Sequence, residues 1–373
     1  MKMSGLKALI VGGGTAGMST ALSLLKLGAT VELIDKDPAW GVAGAGITIT
    51  GPTLRAFRDL GVLEEITRDA YVGEGICVRD VQGNFLYDLE TPMPPDAGVA
   101  GSGGITRPTL HKILAKHIQD AGAQIRLGLT VEALQEEARG VRVSFSDGGS
   151  GLYDLVIGAD GLFSRVRSLI IPDAPPVQYT GQMSWRVTVP RPVEVERRTY
   201  FLGGPLKVGF TPVSATEMYM FVLERSPKVF RKEGLHTALA AILKDYGGHV
   251  ATVRESLNEK SEINFRPLEG FILPEPWYRG RVILIGDAAH PTTPQLASGA
   301  GMAVEDGLVL ADELDKAGSV EQAFAAFMER RIGRCRLVTN SSVELGRLEQ
   351  ERAPVDQMTA VVRHALAKLA EPI

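Results

Sequence analysis

The sequence predicts an α/β protein: a doubly wound parallel sheet, an antiparallel β-sheet domain inserted into it, and helices at the C-terminal end. Three observations carry that prediction. A strand–glycine–helix–strand unit is complete in "KALIVGGGTAGMSTALSLLKLGATVELID" (7–35). Two later apolar runs, "DLVIGAD" (154–160) and "RVILIGD" (281–287), each end in a glycine beside an acid. Between them, over roughly 178–270, helical spacing gives way to short alternating segments with turn residues.

Taken in order, Lys7–Val11 is a continuous apolar run of the kind buried in a parallel sheet. Residues 15–27 place Ala21, Leu22, Leu24 and Leu25 at helical spacing, and Gly28 supplies the stop. "TVELID" (30–35) returns as the second strand. "TPMPPDAGVAGSGG" (91–104) reads as a Pro/Gly loop, and "TRPTLHKILAKHIQDAG" (106–122) as an amphipathic helix. "QIRLGL" and "VRVSFSDG" follow as strands. "QMSWRVTVP", "RTYFLG", "LKVGFTPV" and "EMYMFVLE" alternate as an antiparallel sheet does when one face is covered. After Ala303 the pattern is mostly helical. The expected organisation is a discontinuous nucleotide-binding domain (1–72, 105–177 and 275–350), an inserted β-sheet domain (73–104 and 178–274) and a C-terminal helix (351–373).

A chain of 373 residues is long for one core and suits two lobes. With 45% hydrophobic and 23% charged residues it has the composition of a soluble enzyme, and a net charge of -4 offers no basic surface for nucleic acid or anionic lipid. Cys77 and Cys335 are its two cysteines, too far apart in sequence to suggest a metal motif, a disulfide framework or a CxxxxC redox pair. The apolar stretch before Gly12 is too short for a signal peptide. A cytoplasmic protein without a membrane span, monomeric or homodimeric, is the expectation.

"GGGTAG" (12–17) supplies Gly12, Gly14 and Gly17 in GxGxxG spacing between strand and helix. The first glycine permits the turn, the second lets backbone approach a pyrophosphate, and the third allows close helix–strand packing over the helix N-terminus. Asp35, at the end of the second strand, is placed to accept from ribose hydroxyls, and its charge disfavours a 2′-phosphate. FAD or NAD is therefore expected rather than NADP at this site, with Ala16 and Lys36 beside it. A second fingerprint for a nicotinamide is missing, which argues against a disulfide-type flavin reductase.

Three segments together resemble the single-component (group A) FAD-dependent aromatic hydroxylases of the salicylate and 4-hydroxybenzoate hydroxylase type. They are "GGGTAG" with Asp35, "DLVIGADGLFSRVRSLI" (154–170) as the Asp-Gly motif, and "GRVILIGDAAHPTTPQLASGAGMAVED" (280–306) as the Gly-Asp motif. "GAGITITGPTLRAFRDLGVLEEI" (44–66) and "TRPTLHKIL" (106–114) are similar too, so the likeness runs from residue 6 to about 345. It implies a Rossmann-like FAD-binding domain in which Asp287 binds the ribityl chain and Pro294 lies beside the isoalloxazine. Gly299, Ala300, Gly301 and Met302 would bring backbone N–H groups to the pyrimidine end. Arg107 would stand on the pyrophosphate side, Val131 on the adenine side and Thr48 near the flavin, while Asp160 would serve both FAD and the nicotinamide. A helix N-terminus near 299–303 also suits the negative charge of a reduced flavin on physical grounds alone. The chain departs from the family at Ala297-Ser298-Gly299, where Gly-Gln-Gly is common, and at Gly301, where Asn is frequent.

The resemblance further implies that NADH or NADPH reduces the FAD, that O2 adds to give a C4a-hydroperoxide, and that a small aromatic or heteroaromatic ring is hydroxylated in a dry pocket. Met183, Trp185, Tyr200, Phe210, Tyr219 and Phe221 are candidate walls, or core residues of the sheet. Arg186 is a candidate for a substrate carboxylate, but alternation sets it opposite Trp185, so the two do not share one pocket. His290 is a candidate general base or a hydrogen-bonding scaffold, and Asp287 a ribityl ligand or a helix N-cap. Arg165 and Arg167 suit phosphate contacts or an ion-paired helix start. "WRVTVP" (185–190) has Val187 where flavin halogenases carry a second Trp, which weighs against halogenation. Epoxidation, N-hydroxylation, a non-catalytic FAD sensor and an NAD-linked dehydrogenase are the competing readings. No phenol-deprotonating residue announces itself.

Overall fold

The protein, described by a computed structural model over residues 3–42, 44–91, 93 and 98–373, is organised around a six-stranded sheet. Its spatial order is Tyr278–Arg279, Val282–Leu284, Leu155–Gly158, Lys7–Val11, Thr30–Asp35 and Gln124–Leu127. The last five run parallel, with Leu9 between Val156 and Glu32, and the central strands are buried on both faces. That double burial is why they read as unbroken apolar runs. One face carries the helices Thr15–Lys26, Arg107–Asp120 and Gly299–Lys316. Over the other lies a three-stranded antiparallel sheet (Val131–Glu137, Gly140–Phe145, Ser150–Tyr153), contributing Val141, Val143 and Phe145 to the same core.

The inserted lobe is a seven-stranded sheet in the order 263–270, 178–190, 217–225, 207–212, 198–202, 76–80, 85–89. All neighbours are antiparallel except Arg198–Leu202 on Ile76–Asp80. Its outer face packs on helices Leu235–Ile242 and Gly248–Ser256 through Trp185, Phe210, Met220, Leu239, Leu243 and Val250. Its inner face looks back at the first lobe.

Residues 102–104, expected in a loop, belong instead to the strand Ser102–Thr106, paired with Gly46–Thr50 and Tyr71–Gly73. Glycine is required there because a Cβ on Gly103 would stand 2.6 Å from the Tyr71 carbonyl oxygen. Residues 92 and 94–97 of that expected loop lie outside the described residues. The C-terminal region holds two helices, Val320–Glu351 and Val355–Ala370. Arg55 and Arg334 clasp the end of the second by donating to the carbonyls of Leu369 and its neighbours, satisfying acceptors that a helix terminus leaves free. Among the described residues no helix is long and apolar enough to cross a membrane.

Candidate functional site: a dinucleotide cleft and the pocket beyond it

The glycine-rich turn is built as its spacing demands. Gly12 has φ +112°, and a Cβ there would run into the carbonyl of Ala159. A Cβ on Gly17 would run into the Gly12 carbonyl, whereas one on Gly14 would meet no protein atom. The first and third glycines are therefore packing requirements, and the second faces the open side of the cleft. Gly14 caps helix Thr15–Lys26 without a side-chain bond, so the N–H groups of its first turn point outward as an anion site. Asp35 holds the turn to its strand: Oδ2 accepts from Gly13 N at 2.7 Å and Oδ1 from Asp37 N at 2.8 Å. Each oxygen keeps a further acceptor position for ribose hydroxyls. Trp40, whose indole donates to the Gly13 carbonyl, lies across the turn with its ring edge-on to His111. Lys36 is exposed nearby, and Val131 is fully buried, leaving only its backbone for a ligand.

In the Asp-Gly segment the acid is engaged by its own chain. Asp160 accepts from Ser164 Oγ and from the N–H groups of Arg165 and Val166, capping the short helix Arg165–Ile170. Its carboxylate is thus held by the chain itself, while the backbone around it closes on Gly12. Arg167 is buried. It donates to Ala288 O (2.8 Å) and Leu162 O (2.7 Å) and lies over the Phe271 ring, tying the Asp-Gly segment to the Gly-Asp junction. Arg165 is exposed and donates only weakly, to Glu132 O. Ala16 completes the join by packing against Gly286.

At that junction Asp287 is not a helix N-cap. Its carboxylate opens onto the cleft and has no hydrogen-bond partner among the described residues. Although the side chain is exposed to the cleft, protein crowded around it desolvates the carboxyl and pushes it above the ordinary range, with His290 and Arg107 pulling it partly back. An unpartnered carboxylate of this kind suits a chain of ligand hydroxyls. Beyond it, helix Gly299–Lys316 starts without a side-chain cap, and its first bonded N–H is that of Met302, to Ser298 O. Gly299, Ala300 and Gly301 therefore present free N–H groups. Met302 itself is buried, with its carbonyl and sulfur on Arg331. A Cβ at Gly301 would stand 2.4 Å from Thr53 Oγ1, so a side chain there requires Thr53 to move, and Ala297 takes a left-handed φ of +52°.

His290 sits in a buried hydrogen-bond network. It is 3% exposed and its Nε2 meets Asp306 Oδ2 at 2.7 Å, away from the pocket. The same Asp306 oxygen accepts from Gly286 N (2.8 Å), and Oδ1 from Arg331 Nε (2.8 Å). Arg331 and Arg334 also bind Glu305. Burial alone would lower the imidazole's affinity for a proton, but Cys335 and Asp306 overcome it and hold its pKa well above the usual 6.5. Burial would raise Asp306, yet His290 and Arg331 bring it down to about 2. His290, Asp306 and Cys335 lie close enough to suggest a metal site, but the arginine and imidazole donors already occupy the carboxylate.

The inner face of the β lobe and the segment Pro294–Ala297 line a narrow pocket with about 30 Å³ of open space. Tyr200, Tyr219 and Phe221 line it, as does Arg186. Met183, Trp185 and Phe210 do not, because successive residues of a strand face opposite sides and these share the outer parity. Trp185 and Phe210 are core residues there, and the Trp185 indole donates to Glu224. Arg186 is half-buried with no hydrogen-bond or ion-pair partner among the described residues. Thr48 lies on the pocket wall, its hydroxyl 2.7 Å from Tyr219 OH and 3.1 Å from Thr211 Oγ1. Lys207, paired with Glu349, and Gln295 also line it and escaped sequence analysis. For Lys207 the signal was present, since it has the parity of Gly209 and Thr211 on an alternating strand.

Comparison with known proteins agrees with this geometry. Residues 5–326 match the family described as FAD binding domain. The chain is 33% identical over 350 residues to YetM of Bacillus subtilis, assigned there as an FAD-dependent monooxygenase, covering 93% of this chain and 94% of that one. It is 31% identical over 356 residues to the 2-heptyl-3-hydroxy-4(1H)-quinolone synthase of Pseudomonas aeruginosa, covering 94% and 91%. The crystal structure of Klebsiella pneumoniae HpxO complexed with FAD and uric acid has the same fold, with a TM-score of 0.84 at 24% identity over 98% of this chain and 93% of that one. The chain belongs to the FAD-binding-domain family and is an FAD-dependent monooxygenase of the aromatic-hydroxylase type.

Proposed function

We propose that the protein hydroxylates a small aromatic or heteroaromatic substrate, using NADH or NADPH as reductant and O2 as the oxygen source. The observation that carries this reading is the position of the cavity. Pro294 and Ala297, on the segment expected beside the flavin, form one wall, and the sheet's inner face with Arg186 forms the other. When bound, FAD supplies the hydride-accepting and O2-activating chemistry. The chain's part is to grip it at both ends: Gly12–Gly17 and Asp35 at the adenosine half, Asp287 and the N–H groups of Gly299–Gly301 at the flavin half. Tyr219, Phe221 and Leu223 present hydrocarbon to the ring to be oxidised and keep water away from it. Arg186 offers the unpaired charge that anchors an acidic substituent or a ring made anionic.

The test is an absorbance spectrum of the purified protein, then NADH and NADPH oxidation across phenols, hydroxybenzoates and hydroxylated N-heterocycles. Yellow protein whose oxidation of one nucleotide rises with one substrate class is the expected result. Colourless protein that takes up no FAD would overturn the reading. Replacing Arg186 with Met should raise KM for an anionic substrate by roughly tenfold to a hundredfold, the worth of one charged hydrogen bond, with FAD content unchanged.

A further inference from the structure

Strand Glu217–Arg225 is joined to helix Leu235–Ile242 by a link in which every residue from 227 to 234 is exposed. At its tip Phe230 is 78% exposed and Val229 40%, and neither packs into the core of either lobe. Arg225, Lys228, Arg231 and Lys232 flank these two apolar side chains, and all four are exposed. Within residues 225–234 they stand against a single acid, Glu233. Lys228 lies over the Phe230 ring, 5.7 Å from its centroid, and pairs with Glu269. Among the described residues Arg225, Arg231 and Lys232 have no carboxylate partner. The base of the link is fixed to the sheet. Ser226 N donates to Gly181 O at 3.2 Å, and the Ser226 carbonyl accepts from the Tyr179 hydroxyl at 2.5 Å.

We propose that the segment 226–234 docks the protein on a lipid surface bearing anionic headgroups. Phe230 and Val229 enter the boundary between headgroups and acyl chains, while the arginine and lysine heads stay at the level of the phosphates. A stable protein interface buries about 800 Å² on each partner, several times what one phenyl ring and one valine expose. Cations without fixed partners around a small apolar tip match a fluid layer of phosphates instead. The net charge of -4 sums over the whole chain and conceals this local excess of positive charge. Docking also bears on where substrate comes from. Phe221 and Leu223, on the strand leading into the segment, line the pocket. Gln182, opposite Arg225 in the sheet, accepts from Gln295 of the pocket wall. Docking through Phe230 therefore holds that end of the pocket close to the membrane, where apolar aromatic compounds concentrate. This consequence rests on the pocket being the substrate site, whereas the docking itself does not.

The test is flotation of the FAD-loaded protein with vesicles of phosphatidylcholine, alone or mixed equally with phosphatidylglycerol. The parent should float with the anionic vesicles and stay behind with the neutral ones, and high salt should release it. Phe230→Ser should weaken partitioning roughly tenfold, as one apolar ring leaves the interface. Arg231→Gln and Lys232→Gln together should weaken it about 30-fold, near fivefold for each charge. Both variants should keep the FAD content and melting temperature of the parent, since the altered side chains are exposed. In Phe230→Trp the added indole emission should shift to the blue with anionic vesicles only. Parent protein that floats with neither kind of vesicle, or with both alike, would overturn the proposal, as would undiminished flotation of Phe230→Ser. A dimer that Phe230→Ser converts to monomer, without vesicle binding, would overturn it too, because the patch then joins two copies. Protein that floats as expected yet binds no FAD would instead overturn the reading of the cleft and leave the docking standing.

Discussion

Asp306→Asn removes one negative charge, and almost no volume, from the centre of the molecule. Asp306 and Arg331 are both 0% exposed, and the carboxylate accepts from Gly286 N, His290 Nε2 and Arg331 Nε. An amide oxygen can serve one or two of these donors, but its NH2 faces a third. Removing one partner of a buried ion pair costs about 3–5 kcal/mol, because the remaining charge stays desolvated. Glu305 still pairs with Arg331, which favours the lower end. At roughly 2 °C per kcal/mol for a large domain, the melting temperature should fall by about 6 °C or more. Thermal unfolding by circular dichroism, with and without excess FAD, measures this. The pH dependence gives an internal control. Asp306 is depressed from 3.8 to about 2, so its contribution is present above pH 3.8 and is lost as pH falls toward 2. His290 is raised well above 6.5, so its contribution is present below that value and is lost as pH rises through the raised one. The parent should therefore be evenly stable from about pH 4 to neutrality, with Asp306→Asn lower throughout that window. A variant melting within about 1 °C of the parent would refute the claim that this network holds the Gly-Asp junction.

Other substitutions separate binding from folding. Asp287→Ala should weaken FAD by roughly tenfold to a hundredfold, read by fluorescence titration, and leave the apo melting temperature nearly unchanged, since the carboxylate has no hydrogen-bond partner among the described residues. Gly17→Ala should abolish FAD retention through purification, because the new methyl overlaps the Gly12 carbonyl and forces helix and turn apart. Ala297→Gly relieves a left-handed residue, so chemical denaturation should show stability unchanged or raised by up to about 1 kcal/mol, the strain released less the entropy of glycine. A loss of stability there would mean that the Ala297 methyl contributes packing that outweighs its strain.

Where periodicity and spacing bear directly on structure, much was legible. The apolar runs at 7–11 and 155–158 are sheet-centre strands, and "GGGTAG" makes the turn its glycines require. The match over residues 5–326 agrees with a likeness first visible in three short motifs. What escaped reading was partner choice. Asp160, expected at the cofactors, also accepts from the N–H groups that open Arg165–Ile170, a local bond no spacing announces. His290, a candidate base or scaffold, meets Asp306, sixteen residues on in helix Gly299–Lys316, a pairing no sequence pattern reveals. Ser102–Gly104 looked like loop because glycine carries no strand signal, although close packing demanded it.

The sequence by itself determined the class of fold, the glycine-rich turn and the alternation of the strands read between 178 and 225. Alternation shows that Arg186 and Trp185 face opposite ways, but not which of them meets the pocket. Only the tertiary structure decided that, by packing two helices onto the Trp185 face and turning Arg186, Tyr200 and Lys207 toward Pro294. A period of two is a local property of the backbone, while the choice of face depends on what distant segments bury against it.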